Sequence, residues 1–535
     1  MAKFKGKFCK KGRDKINEAL ERGRESRWRQ ETASAANVVP IISYDHEYAA
    51  CDIPDPSQQI EIPLDENLKE GEWRVGRRVV ELGILADGLK SCQLCSQPLH
   101  LNDCTGEKKF GLGHMLLIRC NYCQLVNEIP TGSRHKTIAG GIAWDVNTKL
   151  AAGMIDAGLG EMHVNSLLSA MNIPTIPPKS IKCREREIVP HLADMAEETC
   201  RKNLEEEVRL SDGNLTASFD GAWQKRGTGR AYNSLTGHAT LIGESTKKCL
   251  GFSVMLRRRE PPPRKHACSC NWTASAKSME PAMACEMLQD IMNTGKQVNT
   301  LVMDNDSTTI ARVKATVDPN IRKKCDSNHT RKGFTGKLVD MSNTFKALKN
   351  VKVRGHVERC FMYCVKQNQG KSTQLEEDLQ KIVPHLYGEH DKCGVWCRSE
   401  KSGYKPRNLP YGKPLTDQPL RVALEDLFKV YVGKVEELAT LGSTQTNENF
   451  NHMVASKAPK RMFYGGSESL KTRVSATVCQ KNEGYKYITE LNKRCQMSPG
   501  RFTVKYTTKL ANSLKRKRFT SSPTQCQMKT SRTEE

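Results

Sequence analysis

Apolar and polar positions alternate in three short runs in the middle of the chain, and these runs predict a three-stranded meander. The first run, LTASFD, begins at Leu215, and the next two are NSLTGHATLIGE and CLGFSVML, which are separated by the polar turn STKK. Short runs of this kind, joined by polar turns, are typical of antiparallel strands. The pattern therefore predicts three antiparallel strands between residues 215 and 256.

A helix and a further strand follow the meander. The apolar residues with the three- and four-residue spacing of an amphipathic helix are Met279, Met283, Met287, Leu288 and Ile291. The run VNTLVMD then predicts a strand that ends on Asp304. Three antiparallel strands, a helix and a strand ending on an acid have the order of a ribonuclease H-like core. The expected fold class is therefore α/β, with a mixed sheet and flanking helices.

Helical spacing of apolar residues also marks the sequence on both sides of this core. Between residues 142 and 202 the spacing is interrupted at Gly158-Leu159-Gly160, which predicts a helix, a tight turn and a second helix. This arrangement resembles a DNA-reading helix-turn-helix, and two amphipathic helices packed on a core explain it equally well. Residues 340–440 are rich in the same spacing, notably from Leu420 to Leu438, which predicts a helical insertion.

Composition and charge narrow the class of protein. The 535 residues include 84 Lys and Arg against 60 Asp and Glu, a formal net charge of +24. Such a charge favours a polyanionic partner, most often nucleic acid, with a merely basic protein as the alternative. No apolar run approaches the roughly 20 residues that a membrane span needs. The basic N-terminus has no apolar segment behind it, so we expect neither a membrane protein nor a secreted one.

Two pairs of cysteines form the best-spaced metal-binding motif, Cys92-x2-Cys95 and Cys120-x2-Cys123. Each Cys-x-x-Cys turn supplies two thiolates, and Zn²⁺ takes four such ligands in a tetrahedron. In the reducing compartment expected for this chain, its 21 cysteines indicate metal sites or core thiols before disulfides. The spacing predicts a structural zinc ribbon, with four unmetallated core thiols as the alternative.

Other cysteines and histidines form weaker candidate sites. Within the predicted insertion, a second zinc site with looser spacing consists of His385, His390, Cys393 and Cys397. Cys325 and His329 either brace the acidic site described next or share a metal there, and a satisfied buried pair is the alternative.

Three acidic residues have the sequence positions of a two-metal site. Asp220 and Asp304 end predicted strands, and Glu448 begins a predicted helix. Two strand carboxylates and a third on a facing helix can hold two Mg²⁺ ions about 3.5–4 Å apart, which activate a nucleophile and stabilise a leaving oxygen. Asp306 is the alternative to Asp304. Because aspartates at strand ends are also common turn formers, the pattern alone does not establish this trio.

Several motifs, in one order, resemble those of Mutator-like DDE transposases. They are FDGAWQKRG from Phe219 and DNDSTT from Asp304, which resemble the first two catalytic motifs, CDSNH from Cys325, which resembles the Cys/His motif, and TNENFN from Thr446 with APK from Ala458 and YGG from Tyr464, which resemble the third. The resemblance implies a ribonuclease H-like core split by a helical insertion. It also implies cleavage and strand transfer of double-stranded DNA at transposon ends and target, with Mg²⁺ or Mn²⁺ held by Asp220, Asp304 and Glu448.

These patterns divide the chain into seven expected segments. They are a basic, largely disordered arm (1–74), the zinc ribbon (75–130), the helical segment (131–210), the first part of the core (211–339), the helical insertion (340–440), the second part of the core with the Glu448 helix (441–500) and a basic disordered tail (501–535). The cluster Lys515 to Arg518 in the tail predicts localisation to the nucleus.

Two rival functions stay open on the sequence alone. A transposase-derived, zinc-containing DNA-binding or regulatory protein without strand-transfer activity would keep the same acids, and a nuclease of the same fold could act on RNA. The sequence also leaves the oligomeric state open, with a homo-oligomer as one candidate.

Overall fold

The computed structural model describes residues 3–4, 7–8, 72–224, 234–257, 269–304, 306–394, 397, 405–462, 464 and 467–520. The helices are α1 (Leu82–Leu89), α2 (Asp145–Ala157), α3 (Glu161–Ala170), α4 (Pro178–Leu210), α5 (Met279–Asn293), α6 (Ser307–Thr316), α7 (Ser327–Met341), α8 (Val351–Gln367), α9 (Ser372–Leu386), α10 (Gln418–Val432), α11 (Val435–Ala439), α12 (Gln445–Lys457), α13 (Ser469–Glu483), α14 (Tyr487–Arg494) and α15 (Arg501–Thr520). The strands are β1 (Lys3–Phe4), β2 (Lys7–Phe8), β3 (Cys104–Phe110), β4 (Gly113–Arg119), β5 (Val126–Pro130), β6 (Arg134–Lys136), β7 (Ile142–Trp144), β8 (Thr216–Trp223), β9 (Thr236–Gly243), β10 (Cys249–Leu256), β11 (Thr300–Met303) and β12 (Arg322–Cys325).

The largest sheet is mixed and has five strands in the order β10-β9-β8-β11-β12. The predicted meander forms β8, β9 and β10, which pair antiparallel, and β11 lies parallel to β8 and β12. The strand β12 was not predicted, because its sequence RKKC has almost no apolar alternation. Asp220 does not end its strand as predicted, since β8 stays paired with β9 through Trp223.

Helices cover both faces of this sheet, because successive side chains of a strand point to opposite faces. Phe219 and Leu241 lie in one hydrophobic core with α5. Ile242 and Cys249 lie in a second core with α4 and α13. The strand β9, which lies between β10 and β8, is buried along its whole length, as this two-sided packing requires.

A helical unit, α7 to α11, has a hydrophobic core of its own. Phe334 stacks on Phe361 with ring centroids 4.2 Å apart, and Phe428 and Tyr431 contact this pair edge-on. The continuous helical spacing predicted from Leu420 to Leu438 is broken in the structure, because α10 ends at Val432 and α11 begins at Val435. Gly433 lies at this break, where a residue of low helix propensity favours termination.

A smaller antiparallel sheet, β3-β4-β5, lies towards the N-terminus. Its core contains Cys92 and Cys120 together with Leu116, Ile118 and Ile129. The first Cys-x2-Cys turn precedes β3 and the second connects β4 to β5. The sheet therefore brings the two turns to one end.

The C-terminal segment differs from the disordered tail that was expected from residue 501. Residues Arg501–Thr520 form α15. The polar Thr507 is buried, whereas the apolar Phe502 and Tyr506 are exposed. The buried face of the helix is therefore not marked by apolar residues in the sequence. No Gly or Pro interrupts this stretch, which permits the helix.

Several predicted features lie outside the described residues. They are most of the arm before residue 72 and the end of the tail, residues 521–535. Among the described residues, no helix is both long and apolar enough to cross a membrane. Nuclear localisation stays a prediction.

A buried ion network joins β6, α2 and α4. The Nδ1 atom of His135 is 2.8 Å from Asp145, and its Nε2 atom is 2.7 Å from Glu187. Burial disfavours the charged imidazole, but hydrogen bonds to both carboxylates outweigh it and raise the pKa of His135 to about 9. The charged histidine is therefore the folded form at neutral pH.

We predict that His135→Gln destabilises the protein by roughly 2 kcal/mol at slightly acid pH, because two buried carboxylates lose a charged partner. The folded-state pKa lies above the ordinary 6.5, so the stabilisation is complete below that pH and is lost as the pH rises through about 9. Urea unfolding of both proteins across this range measures the effect. A difference between them that grows with pH would contradict the assignment.

Candidate active site

Strand pairing brings Asp220 and Asp304 to the same place on the sheet. In the parallel pair of β8 and β11, Ser218 is the partner of Val302. Each aspartate lies two residues further along its own strand direction. Because parallel strands run in one direction, the two carboxylates lie side by side where β11 ends.

Burial and the surrounding acidic groups both raise the pKa of Asp220. Burial raises this pKa well above its ordinary value, and the negative charges of Asp304, Glu280 and Glu448 raise it further. The pKa of Asp304 is also raised, by burial and by the charges of Asp326 and Glu448, against the opposing effect of His329. The three predicted acids are thus electrostatic neighbours in one cluster.

Two asparagines of α12 position Glu448 beside the sheet. The buried Asn447 side chain accepts a hydrogen bond from the Ser218 hydroxyl at 2.5 Å and donates to the carbonyls of Ser218 and Thr240. One turn later, Asn451 donates to Asp220 Oδ2 at 2.8 Å. Glu448, which directly follows Asn447, is half-buried and accepts a hydrogen bond from Gln445 at 3.0 Å.

His329 and Asp326 adjoin Asp304. One ligand atom from each of the three residues lies within 4.8 Å of the others, and His329 Nδ1 is 3.1 Å from Asp304 Oδ2. The fully buried Asp326 accepts hydrogen bonds from the backbone N–H groups of His329 and Thr444, both at 2.8 Å. Asp326 was missed as a site residue, because it follows a strand without an apolar signature.

Cys325 lies apart from His329. Its Sγ atom is 3.8 Å from Glu437 Oε2, and the residue belongs to the core of the helical unit α7 to α11. The expected joint role of Cys325 and His329 is therefore divided: His329 contacts Asp304, whereas Cys325 packs against α11.

A further carboxylate, Glu280, also escaped sequence reasoning. It lies in the first turn of α5, and a Cβ atom added to Gly221 would approach its Cγ atom to 3.3 Å. Burial and the charges of Asp306 and Asp304 raise the pKa of Glu280 to about 7. In the sequence, Glu280 is indistinguishable from an ordinary acid in the first turn of a helix.

Asp306, the alternative to Asp304, has a different role in the structure. Its carboxylate caps α6 by accepting hydrogen bonds from the Thr308 and Thr309 N–H groups at 2.9 and 3.1 Å and from the Thr309 hydroxyl at 2.7 Å. Although burial opposes it, these hydrogen bonds lower the pKa of Asp306. Its oxygens are thus occupied by a helix cap.

The donor set of the cluster fits a hard divalent cation. Carboxylate oxygens are the ligands that Mg²⁺ and Mn²⁺ prefer, and an imidazole is compatible with them. Among the described acidic residues, Asp304 and Asp326 have ligand atoms within 4.8 Å of each other and of His329, so these three residues could hold such an ion. A cation nearby would also relieve the mutual repulsion of the partly buried carboxylates of Asp220, Asp304 and Glu448.

The four cysteines of the predicted ribbon converge. Sγ atoms of Cys92 and Cys123 are 3.5 Å apart, those of Cys95 and Cys120 are 3.4 Å apart, and all four lie within 4.8 Å of one another. The two turns have the same geometry, since Ser96 and Gln124 have positive φ and each N–H bonds back to the carbonyl of Cys92 or Cys120. A second convergent set is formed by His385, His390, Cys393 and Cys397.

A family model described as Mutator-like transposase matches residues 76–397. The chain belongs to the Mutator-like transposase family. The matched part includes both Cys/His sets, Asp220 and Asp304, and it ends before Glu448. No curated protein matches the chain.

For this Mutator-like transposase, we predict that Asp220→Asn raises the melting temperature in metal-free buffer, because it removes one of several repelling buried charges. Mg²⁺ should then stabilise the wild type more than the variant. Thermal unfolding with and without Mg²⁺ measures both effects.

Asp306→Asn is the matched control for this prediction. It should change stability little, because Asn caps a helix about as well as Asp, and should leave the response to Mg²⁺ intact. Destabilisation by Asp220→Asn in metal-free buffer would show that the acidic cluster is not repulsive.

Proposed function

We propose that this chain is a DDE-type DNA transposase with a ribonuclease H-like core, in which Asp220, Asp304 and Glu448 hold divalent metal ions. The proposal is supported by the parallel register of β8 and β11, by the hydrogen bond from Asn451 of α12 to Asp220, and by the pKa of Asp220, which burial and the charges of Asp304 and Glu448 raise. Family membership supports a DNA-processing enzyme, and the +24 charge suits a phosphate backbone. The expected reaction is cleavage of phosphodiesters at transposon ends, then strand transfer to target DNA.

The protein's own groups would prepare the site for this chemistry. Asn451 orients Asp220, His329 orients Asp304, and Asn447 anchors the helix that carries Glu448. Bound divalent cations would supply activation of the attacking oxygen and stabilisation of the leaving oxygen. Gly221 has no side chain, and this leaves room for Glu280 beside the three acids.

We predict that Asp220→Ala, Asp304→Ala and Glu448→Ala each abolish Mg²⁺-dependent DNA cleavage while leaving DNA affinity nearly unchanged, because the acids bind metal and not phosphate. Nicking of supercoiled plasmid and gel-shift titration measure the two properties. Asp306→Ala, with its carboxylate in a helix cap, should keep most of the cleavage activity.

Two outcomes would contradict this assignment. A wild-type protein that binds DNA and never nicks it would favour a regulatory protein derived from a transposase. Loss of activity in Asp306→Ala equal to that in Asp304→Ala would move the second metal-binding acid by two residues.

We also propose that Cys92, Cys95, Cys120 and Cys123 bind one structural Zn²⁺ as a zinc ribbon. The core under this sheet is small, so a bound metal would supply much of its folding energy. All four tetrahedral positions would be filled by thiolates, which leaves none for substrate.

We predict that Cys92→Ser lowers the zinc content by one ion per chain and exposes residues 75–130 to proteolysis. Mass spectrometry of metal and of tryptic fragments measures these changes. Cys183→Ser, at an exposed cysteine of α4, is the matched control and should change neither. Full zinc content and full protection in Cys92→Ser would rule out the ribbon.

A further inference from the structure

We propose that His385, His390, Cys393 and Cys397 form a second structural zinc site, which fastens the end of α9 to the segment leading into α10. The site lies in the helical unit, away from the acidic cluster and from the four cysteines of the N-terminal sheet. It does not depend on the proposed catalytic function.

The interatomic distances match a tetrahedral N2S2 site. The two Nδ1 atoms are 3.1 Å apart, and the four measured N···S distances are 3.4, 3.8, 3.6 and 3.5 Å. With Zn–N near 2.0–2.1 Å and Zn–S near 2.3 Å, tetrahedral geometry requires roughly 3.3 Å between nitrogens and about 3.6 Å between nitrogen and sulfur. All four ligand atoms therefore lie close to the distances that a single zinc ion imposes.

The chemistry of the donors favours zinc over the hard cations of the acidic cluster. Two imidazole nitrogens and two thiolates form a Cys2His2 set, a common structural zinc combination, whereas Mg²⁺ prefers oxygen. The imidazoles line a small cavity with Pro406, Leu409 and Pro414. Pro406, Leu409 and Pro414 supply the apolar part of this lining, and such groups limit the access of water to a bound metal.

Neighbouring contacts show what the metal would fasten together. At the end of α9, the Leu386 carbonyl accepts a hydrogen bond from the Leu415 N–H at 2.9 Å. The hydroxyl of the next residue, Tyr387, donates to the Asp417 carbonyl at 2.7 Å. Arg421 of α10 pairs with Glu389 through two hydrogen bonds. Three of the four ligands, His390, Cys393 and Cys397, lie within the segment that these contacts close, and His385 lies just before it in the last turn of α9.

A cross-link suits this long connection. Residues 387–417 join α9 to α10, and their described part contains only one short helical turn, Pro410–Gly412. Ordering such a segment costs conformational entropy that few apolar contacts can offset. A metal ion that binds only when α9 and points within the segment are brought together would offset this cost with its binding free energy.

The test is the zinc content of the full-length protein, by mass spectrometry, with matched variants. The wild type should contain two zinc ions per chain, and Cys393→Ser combined with Cys397→Ser should contain one. Cys360→Ser is the control, because Cys360 contacts His356 of the same unit at 3.9 Å but lies outside the four-ligand set. It should keep two ions. Wild-type zinc content in the double variant would overturn the proposal.

A second measurement applies if the double variant fails to fold. His390→Cys keeps four ligands and should keep two metal ions, while its Co²⁺-substituted form should show a stronger thiolate-to-cobalt absorption band than the wild type. An unchanged band would mean that His390 is not a ligand. Cys92→Ser separates the two sites, because it should lose the other ion and keep this one; complete loss of zinc in that variant would also overturn the proposal.

Discussion

The parallel pairing of β8 with β11 is the constraint on which the candidate active site depends. It places Asp220 and Asp304 side by side at a partly buried edge, where their charges repel. Such an arrangement is unfavourable in itself, and the surrounding side chains moderate it through the hydrogen bond from Asn451 and the contact with His329. A site with this repulsion is suited to binding cations, because a cation there neutralises the charges that repel.

Asp326 connects the helical unit to the sheet at both ends. One carboxylate oxygen accepts the N–H of His329, in the first turn of α7, and the other accepts the N–H of Thr444, just before α12. The helical unit thus leaves and rejoins the sheet at a single buried residue. This geometry explains how a long helical unit can be inserted between Asp304 and Glu448 without separating them.

The two sets of soft ligands lie in parts of the chain where apolar packing alone is weak. The N-terminal sheet has a small core, and the connection between α9 and α10 has little regular structure among its described residues. The central sheet, by contrast, has large cores on both faces, and the described cysteines within them, such as Cys249 and Cys479, are buried in apolar surroundings. Cysteine therefore occurs in two distinct settings in this protein.

The sequence by itself determined the elements whose signals are local. Period-two alternation predicted β8, β9 and β10, and the methionine spacing predicted α5. The two Cys-x2-Cys turns predicted that their four cysteines lie together. The motifs also identified the family. Local patterns suffice there because each depends on neighbouring residues only.

The tertiary structure alone decided which distant groups meet. The structure adds Glu280 and Asp326 to the acidic cluster and places Cys325 against Glu437. Asp306, the alternative to Asp304 as the second acid, caps a helix. The strand β12 and the helix α15 were missed because their residues have too little apolar periodicity to predict an element. These outcomes depend on strand register and on contacts between residues hundreds of positions apart, such as Asn447 with Ser218, which no local pattern records.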